Sequence, residues 1–275
     1  MLKFQIIPVI IALFAFFGKP ATAQDIDLGV FGGGSYYLGE LNPGRQFFFT
    51  RPAYGGLIRF NFDSRWALRG QMLRGEIAGD DLVSGVNTMR NLRFTSSLLE
   101  LSAVMEFNFL DYYTGSFNNY FSPFLFAGPG FFIFDPQVGS THLHNINTEG
   151  LDKPYSLYGL SAVFGFGIKY SLGSRVGIGL EWGMRKTFTD YLDDISGEYK
   201  LDFNNLDIVI DNETDWEDVL PIVLSDPSPV KHQPGMQRGN PQNNDWYSFA
   251  GLTLIYRFSI GEKSTCPDFE NVKNK

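Results

Sequence analysis

The feature that most constrains the fold is the length of the segments in which every second side chain is apolar. The clearest, LELSAVMEFNF at 99–109, alternates apolar side chains with polar ones such as Glu100 and Glu106. A period of two is that of a β-strand, whose side chains point alternately to opposite faces. Strands of soluble proteins average about 5–6 residues, whereas strands of membrane barrels need about 9–11. The length of this run therefore favours a strand that crosses a membrane.

Seven further segments show the same alternation, which gives eight predicted strands. In each, one face is apolar with aromatic residues near the ends, and the other face carries charges and glycines, as in outer-membrane barrels. A soluble β-sandwich would have the same period, but the strand length, the aromatic ends and an N-terminal export signal favour the barrel. The seven segments lie at 26–38, 54–62, 66–76, 121–134, 162–170, 176–185 and 246–258.

The connections between these strands alternate in length. Those at 63–65 and 171–175 are tight turns and the one at 110–120 is intermediate, whereas the other four are long. Bacterial outer-membrane barrels have short periplasmic turns and long extracellular loops. We therefore predict an all-β fold, an eight-stranded antiparallel up-and-down transmembrane β-barrel with long extracellular loops, integral to the outer membrane and with both termini in the periplasm.

The N-terminal segment has the parts of a secretory signal peptide. Lys3 provides a short basic region, an apolar stretch follows, and Ala-Thr-Ala at 21–23 fits a cleavage site. The apolar stretch is shorter than the roughly 20 residues that a helix needs to span hydrocarbon, which favours a cleaved signal over an anchor. The predicted organisation is a signal peptide at 1–23, a barrel at 24–259 that includes an acidic extracellular loop at 188–245, and a periplasmic tail at 260–275.

Charge and cysteine content limit the partners. The formal net charge is −8, which argues against nucleic acid because phosphate contacts need clustered Lys and Arg. The single cysteine, Cys266, cannot form an internal disulfide. In an oxidising periplasm it either forms an intermolecular disulfide or remains a free thiol of the tail.

The polar faces of the strands are predicted to point into the barrel. An eight-stranded barrel leaves an interior that side chains just fill, and an unpaired charge buried there would be costly. We therefore predict a plugged lumen, too narrow to pass a protein, in which acids and bases pair and fix the strand register. The residues predicted to form this network are Arg59, Arg69, Glu100, Glu106, Lys169, Glu181, Arg185 and Arg257.

Residue types that carry catalysis or bind metals occur in the loops without the spacing of a known site. His142 and His144 lie on one side of a loop but lack the acid or cysteine framework of a metal site. The pair Asp80-Asp81 fits a turn or a helix N-cap. We predict no catalytic residue, no cofactor and no metal. A small outer-membrane enzyme that uses rim carboxylates and one of these histidines is the alternative.

The connection at 188–245 is unusually long and acidic. From Asp190 to Asp226 it contains twelve acids and one base, and a loop of this length is usually functional or disordered. We favour an ordered cap or a partner surface, while Ca²⁺ binding and a ligand-binding or adhesive surface are alternatives. The motif RKTFTDYLDDISGEY at 185–199 is predicted to be a lip. Its residues 188–191 form an aromatic belt, and Gly197 permits a turn at the start of the loop.

Several segments together resemble one family. They are GVFGGGSYYLGELNP at 29–43, RPAYGGLIRFNFDSRWALRG at 51–70, SLLELSAVMEFNF at 97–109, SPFLFAGPGFFIFDP at 122–136 and the motif at 185–199. Along nearly its whole mature length the chain is similar to the PorG-like outer-membrane barrels of Bacteroidota, also grouped as a domain of unknown function. The resemblance implies a component of the type IX secretion system, which exports proteins across the outer membrane and supports gliding motility.

The resemblance also implies partners. Such barrels associate with the periplasmic ring formed by a PorK-like lipoprotein and a PorN-like protein, and they are not the export channel. The function that follows is a non-enzymatic barrel that lies in outer-membrane lipid and anchors or aligns the ring. Its predicted partner surfaces are the turn at 110–120 and the tail, through Tyr112, Tyr113, Phe117 and Cys266.

Overall fold

Residues 25–200, 220 and 223–259 are described by the computed structural model. The signal peptide predicted at 1–23 and the periplasmic tail predicted at 260–275 lie outside the described residues. Strands account for most of the described chain, and two short helices lie in the loops. In chain order the elements are β1 (Asp25–Leu38), β2 (Arg51–Asn61), β3 (Trp66–Asp80), α1 (Asp81–Ser84), β4 (Arg93–Asn108), β5 (Phe121–Val138), β6 (Thr141–His142), α2 (Leu143–Ile146), β7 (Tyr158–Ser171), β8 (Val176–Thr187) and β9 (Trp246–Ser259).

Antiparallel pairing runs around the sheet without a break. Each barrel strand pairs with the next in sequence, with β5 pairing β7 because the two-residue β6 only extends the end of β5. The sheet closes where β1 pairs with β9, from Asp25 opposite Ser259 to Leu38 opposite Trp246. The predicted eight-stranded antiparallel up-and-down barrel is therefore confirmed.

The two ends of the barrel differ in their connections. Residues 62–65, 109–120 and 172–175 join strands at one end, which we call the short-turn end, and β1 begins and β9 finishes there. The opposite end, which we call the long-loop end, carries the four other connections. These lie at 39–50, 81–92, 139–157 and 188–245.

The outer surface of the barrel is apolar. Exposed aliphatic and aromatic side chains cover the middle of the strands, and further aromatic side chains surround the short-turn end. A contiguous apolar surface of this kind marks contact with a membrane or a partner, and a band with aromatic borders is typical of outer-membrane barrels. The exposed residues of the middle include Val30, Met72, Leu101, Leu125, Phe166, Leu180, Leu252 and Leu254, and those of the border Phe62, Trp66, Phe109, Tyr120, Tyr170 and Phe258.

Helices contribute little to the described chain. No helix among residues 25–200, 220 and 223–259 is long and apolar enough to cross a membrane. Each of the two named helices has four residues and lies in a connection at the long-loop end. The architecture of the described chain is therefore set by the strands.

Candidate functional site

Charged side chains fill the half of the lumen nearest the short-turn end, and Glu106 of β4 lies at their centre. Its carboxylate contacts Arg59 Nε at 2.8 Å, Arg69 Nη1 at 3.1 Å and Lys169 Nζ at 2.5 Å. All four side chains are buried, so these pairs provide the countercharge that each group needs away from water. One carboxylate thereby ties β2, β3 and β7 to β4.

A second set of contacts joins β8 and β9 to β3 and β4. Arg69 Nη1 donates to Glu181 Oε2 at 2.6 Å, and Arg185 Nε donates to Glu100 Oε2 at 2.9 Å. The hydroxyl of Tyr247 donates to the same oxygen of Glu100 at 2.9 Å. Hydrogen bonds to charged groups are stronger than neutral ones. The inner faces of the strands are therefore held by directed contacts as well as by backbone pairing.

Aromatic rings cover the cations of the lumen. The Arg69 guanidinium lies 4.7 Å from the centre of the Phe126 ring, and Lys169 Nζ lies 4.2 Å from that of Phe124. Both rings are buried, and a cation over an aromatic face in a desolvated site is stabilised by about 2 kcal/mol or more. The cations of the lumen thus have both carboxylate and ring partners.

Asp27 of β1 also belongs to this network, although the sequence analysis did not include it. Its Oδ2 accepts hydrogen bonds from Asn61 at 3.1 Å and Thr114 at 3.0 Å, and it lies 3.5 Å from Arg59 Nη1. Arg257 lies nearby, where its Nη1 donates to the carbonyl oxygen of Thr114 at 2.8 Å. The predicted strand at 26–38 already contained Asp27, and its period of two was the signal that could have placed this side chain inside.

The turn at 109–120 carries the three aromatic residues predicted to contact a partner. Phe117 is 79% exposed, whereas Tyr112 is only 4% exposed. The Tyr112 ring lies 5.8 Å from Lys169 Nζ at the mouth of the lumen, so Tyr112 packs into the barrel and offers no partner surface. Tyr113 is half-buried. The fourth predicted contact, Cys266, lies outside the described residues.

At the long-loop end, an apolar layer separates the charged lumen from the loops. The start of the 188–245 connection contributes Leu192 and Ile195 to this layer, so that segment folds inward over the barrel. The sequence analysis predicted that the motif at 185–199 is a lip at the rim. Phe188 is exposed there, but the prediction is wrong for the residues that follow it, because they fold into the barrel. The other members include Phe31, Tyr37, Leu41, Leu73, Ile77, Phe94, Leu98, Phe132, Phe134, Tyr247 and Phe249.

The acids of this segment are buried rather than solvated. Asp190, Asp193 and Asp194 are 7%, 1% and 1% exposed. The residue of this turn that adopts the left-handed backbone conformation is Asp194, with φ of 66°. Gly197 does not adopt that conformation. The prediction that Gly197 permits this turn is therefore wrong. An aspartate can take the left-handed conformation because its short polar side chain forms local hydrogen bonds.

Four carboxylates meet above the apolar layer, and we call Glu40, Asp190, Asp193 and Asp245 the carboxylate cluster. The hydroxyl of Tyr37 donates to Asp193 Oδ2 at 2.5 Å and also lies 3.0 Å from Asp245 Oδ1. The barrel closure explains this meeting. Leu38 and Trp246 lie opposite each other where β1 pairs with β9. Glu40 comes two residues after Leu38, and Asp245 comes directly before Trp246, so the two acids are brought together.

Burial makes these carboxyl groups hard to ionise. Removal from water, with the nearby charges of Glu40 and Glu149, raises the pKa of Asp190 to about 7. Burial and the charge of Glu40 hold the pKa of Asp193 well above its usual range, and burial and the charge of Asp193 do the same for the pKa of Asp245. A carboxylate away from water needs a countercharge, a proton or several donors. The carboxylate cluster is therefore a place where a cation would be stabilised.

A separate ion-pair network holds the loops over the barrel. Arg238 Nη1 donates to Glu149 Oε1 at 2.9 Å, and its Nη2 lies 3.6 Å from Asp194 Oδ2. Asp194 Oδ1 accepts from the hydroxyl of Tyr155 at 2.7 Å. Because these residues come from the connections at 139–157 and 188–245, the pairs join two loops. The described part of the long acidic connection is thus an ordered cap.

The pair Asp80-Asp81 has two different roles. Asp80 is the N-cap of α1 and accepts from the backbone N–H of Val83 at 3.0 Å, which confirms the N-cap interpretation. Asp81 accepts from Arg90 at 2.8 Å through each of its two oxygens. Arg90 in turn donates to the carbonyl oxygen of Arg238 at 2.8 Å. The loop at 81–92 is therefore tied to the cap.

The two loop histidines have different neighbours. His142 Nδ1 lies 2.8 Å from Asp135 Oδ2, and the His144 ring packs edge-on against Tyr155 with centroids 5.0 Å apart. A metal site built on both histidines would need the two rings at one point. The structure does not bring them together.

A groove of about 740 Å³ opens at the rim beside the carboxylate cluster. Glu40 belongs both to the cluster and to the wall of the groove, so the cluster is reached from this side. A groove with a few polar groups and an aromatic wall can hold a small polar ligand. The other lining residues include Lys186, Asn240, Gln242, Asn244 and Trp246.

Comparison with known sequences gives one family and no characterised relative. The family described as Domain of unknown function (DUF6089) matches residues 4–226. No curated protein matches the sequence. The match covers most of the chain, from the predicted signal peptide into the 188–245 connection.

Several solved structures are similar to the chain at low sequence identity. Ail, the attachment invasion locus protein of Yersinia pestis, is 10% identical with a TM-score of 0.43, covering 86% of this chain and all of Ail. Neisserial surface protein A is 7% identical with a TM-score of 0.43, covering 87% of this chain and all of that one. The outer membrane protein OprG of Pseudomonas aeruginosa is 11% identical with a TM-score of 0.43, covering 86% and 98%.

Proposed function

The chain belongs to the DUF6089 family, and we propose that it is a non-enzymatic outer-membrane component of the type IX secretion system. In this role it anchors or aligns the periplasmic ring, made of a PorK-like lipoprotein and a PorN-like protein, at the outer membrane. The resemblance to PorG-like barrels suggests the system. The observation that carries a scaffold role is the filled lumen, where Arg69 and Glu106 are 0% exposed. A barrel with such an interior acts through its ends.

The short-turn end is the proposed docking face. Short turns face the periplasm in bacterial outer-membrane barrels, and the first and last strands also begin and finish at this end. Phe117 presents a large apolar side chain in the turn at 109–120. A single exposed aromatic side chain of this kind can insert into a pocket of the partner and carry much of the binding energy.

The test compares two exposed phenylalanines at opposite ends. Phe117→Ser, alone and combined with deletion of residues 260–275, is expected to reduce co-purification of the ring proteins with the barrel from isolated outer membranes. Phe188→Ser, at the long-loop end, is the matched control and should leave the ring bound. Undiminished co-purification of the ring with the combined variant would contradict the proposed docking face.

A ligand-binding or adhesive surface barrel is the second candidate. The groove of about 740 Å³ at the long-loop end favours it, because Lys186 and Trp246 give the groove a cation and an aromatic face. In that case the variants Lys186→Ala and Trp246→Ala would lose binding to an array of polysaccharides or of host-surface molecules. Secretion would remain intact. Loss of secretion with unchanged surface binding would instead support the scaffold. The enzyme alternative has one supporting contact, His142 Nδ1 at 2.8 Å from Asp135 Oδ2, and neither residue lines the groove.

A further inference from the structure

Three carboxylates of the cluster converge at the long-loop end. Glu40 comes from the connection at 39–50, and Asp190 and Asp245 come from the two ends of the 188–245 connection. One oxygen of each lies within 4.8 Å of the others. Ca²⁺ binds oxygens at about 2.3–2.6 Å, so two of its ligands on opposite sides are about 5 Å apart. The three oxygens therefore lie close enough to share one Ca²⁺.

Asp190 is the member whose environment is incomplete. It is 7% exposed, and neither of its carboxylate oxygens makes a hydrogen bond of normal geometry among the described residues. Burial raises its pKa, and the nearby Ser196 side chain lowers that pKa only in part. The other two ligands are positioned by donors. Glu40 accepts from the backbone N–H of Asn240 at 3.2 Å, and Asp245 accepts from the backbone N–H of Leu192 at 3.1 Å. A buried carboxylate without donors needs a cation or a proton beside it.

The two buried arginines of the cap form ion pairs outside the carboxylate cluster. Arg90 forms an ion pair with Asp81, and Arg238 forms ion pairs with Glu149 and Asp194. Asp193, the fourth acid of the cluster, lies beside the three ligands and accepts a hydrogen bond from the Tyr37 hydroxyl. Neither arginine forms an ion pair with the carboxylate cluster, and the groove beside Glu40, whose wall also includes Lys186, would admit a cation from solution.

We propose that Glu40, Asp190 and Asp245 form a Ca²⁺ site. All three ligands are carboxylate oxygens, which suit hard cations rather than transition metals. Ca²⁺ accepts an irregular set of oxygens, whereas Mg²⁺ demands a near-ideal octahedron at 2.0–2.1 Å. The ion joins the loop that follows β1 to both ends of the loop between β8 and β9. It thereby clamps the cap at the seam where the barrel closes.

The experiment uses the full mature chain, folded in detergent micelles, with CaCl₂, MgCl₂ or EDTA added. Thermal unfolding is expected at a higher temperature in Ca²⁺ than in EDTA, with a smaller effect of Mg²⁺. Tb³⁺, a luminescent substitute for Ca²⁺, should be sensitised by Tyr37 and displaced by Ca²⁺. Asp190→Asn should lower the Ca²⁺ affinity at least roughly tenfold, because even the loss of a residue that only positions a metal ligand typically costs about 10–100-fold.

A control variant and the behaviour of Asp190→Asn separate this Ca²⁺ site from a cluster of carboxylates that only share protons. Glu198→Gln removes an exposed acid of the same connection and should retain the wild-type Ca²⁺ response. If the carboxylates only share protons, the wild type will show no Ca²⁺ response, while Asp190→Asn will raise its unfolding temperature. That result, or a Ca²⁺ response that persists in Asp190→Asn, would overturn the proposal.

Discussion

Glu106 shows how a single side chain can set the register of a barrel. It faces Arg59, Arg69 and Lys169, which come from three other strands. Because a shift of one residue would turn each of these side chains to the lipid face, the ion pairs and the strand register depend on each other. Breaking a buried pair by removing one partner typically costs about 3–5 kcal/mol, since the remaining charge stays buried.

We therefore expect Glu106→Gln to destabilise the barrel strongly. The substitution keeps the shape of the side chain but leaves three cations with less countercharge. Urea unfolding of the chain in detergent micelles should show a free energy of unfolding lower by about 3–5 kcal/mol than that of the wild type. Glu181→Gln is the control, because Glu181 forms an ion pair with Arg69 alone among the described residues. A loss for Glu106→Gln no larger than that for Glu181→Gln would contradict the central role of Glu106.

At the scale of the element, β1 and β9 lie close together at the seam where the barrel closes. A Cβ atom on Gly33 would lie 2.2 Å from the carbonyl oxygen of Ala250 and 2.5 Å from Cα of Gly251. Both contacts are with backbone, so no side-chain rotation can relieve them. The glycine is required here by close packing.

We expect Gly33→Ala to weaken barrel closure. Overpacking of this kind costs about 1–3 kcal/mol, and it should lower the temperature at which the folded band is lost in unboiled SDS gels. Gly32→Ala provides the matched control on the same strand, since a Cβ there meets nothing within 4 Å. Equal unfolding temperatures for the two variants would show that the seam tolerates a wider spacing.

The strands could be predicted because lipid on one side and a filled lumen on the other impose a period of two. Their ends could not, since both faces of a strand meet polar surroundings beyond the lipid. β4 begins at Arg93 rather than at 99, and β5 ends at Val138 rather than at 134. The carboxylate cluster also could not be predicted from the sequence. It depends on the register that places Leu38 opposite Trp246, which local sequence does not reveal.

At the scale of the whole molecule, the barrel consists of an apolar outer surface, a charged interior and a loop cap. The ionic layer of Glu106, the apolar layer with Phe132 and Phe134, and the cap with Arg238 follow each other along the axis. Each layer contains side chains that are buried. A solute would have to displace all three layers to cross the barrel.

We therefore expect liposomes that contain the folded chain to exclude sugars. Eight strands enclose a space that side chains just fill, and here the filling is held by ion pairs at 2.5–3.1 Å around Glu106. The measurement is liposome swelling in an isotonic sugar solution, with a sixteen-stranded porin as the positive control. Sugar entry at the porin's rate would mean that the buried charges line a water channel. In that case the proposed scaffold function would be wrong, and a transport function would replace it.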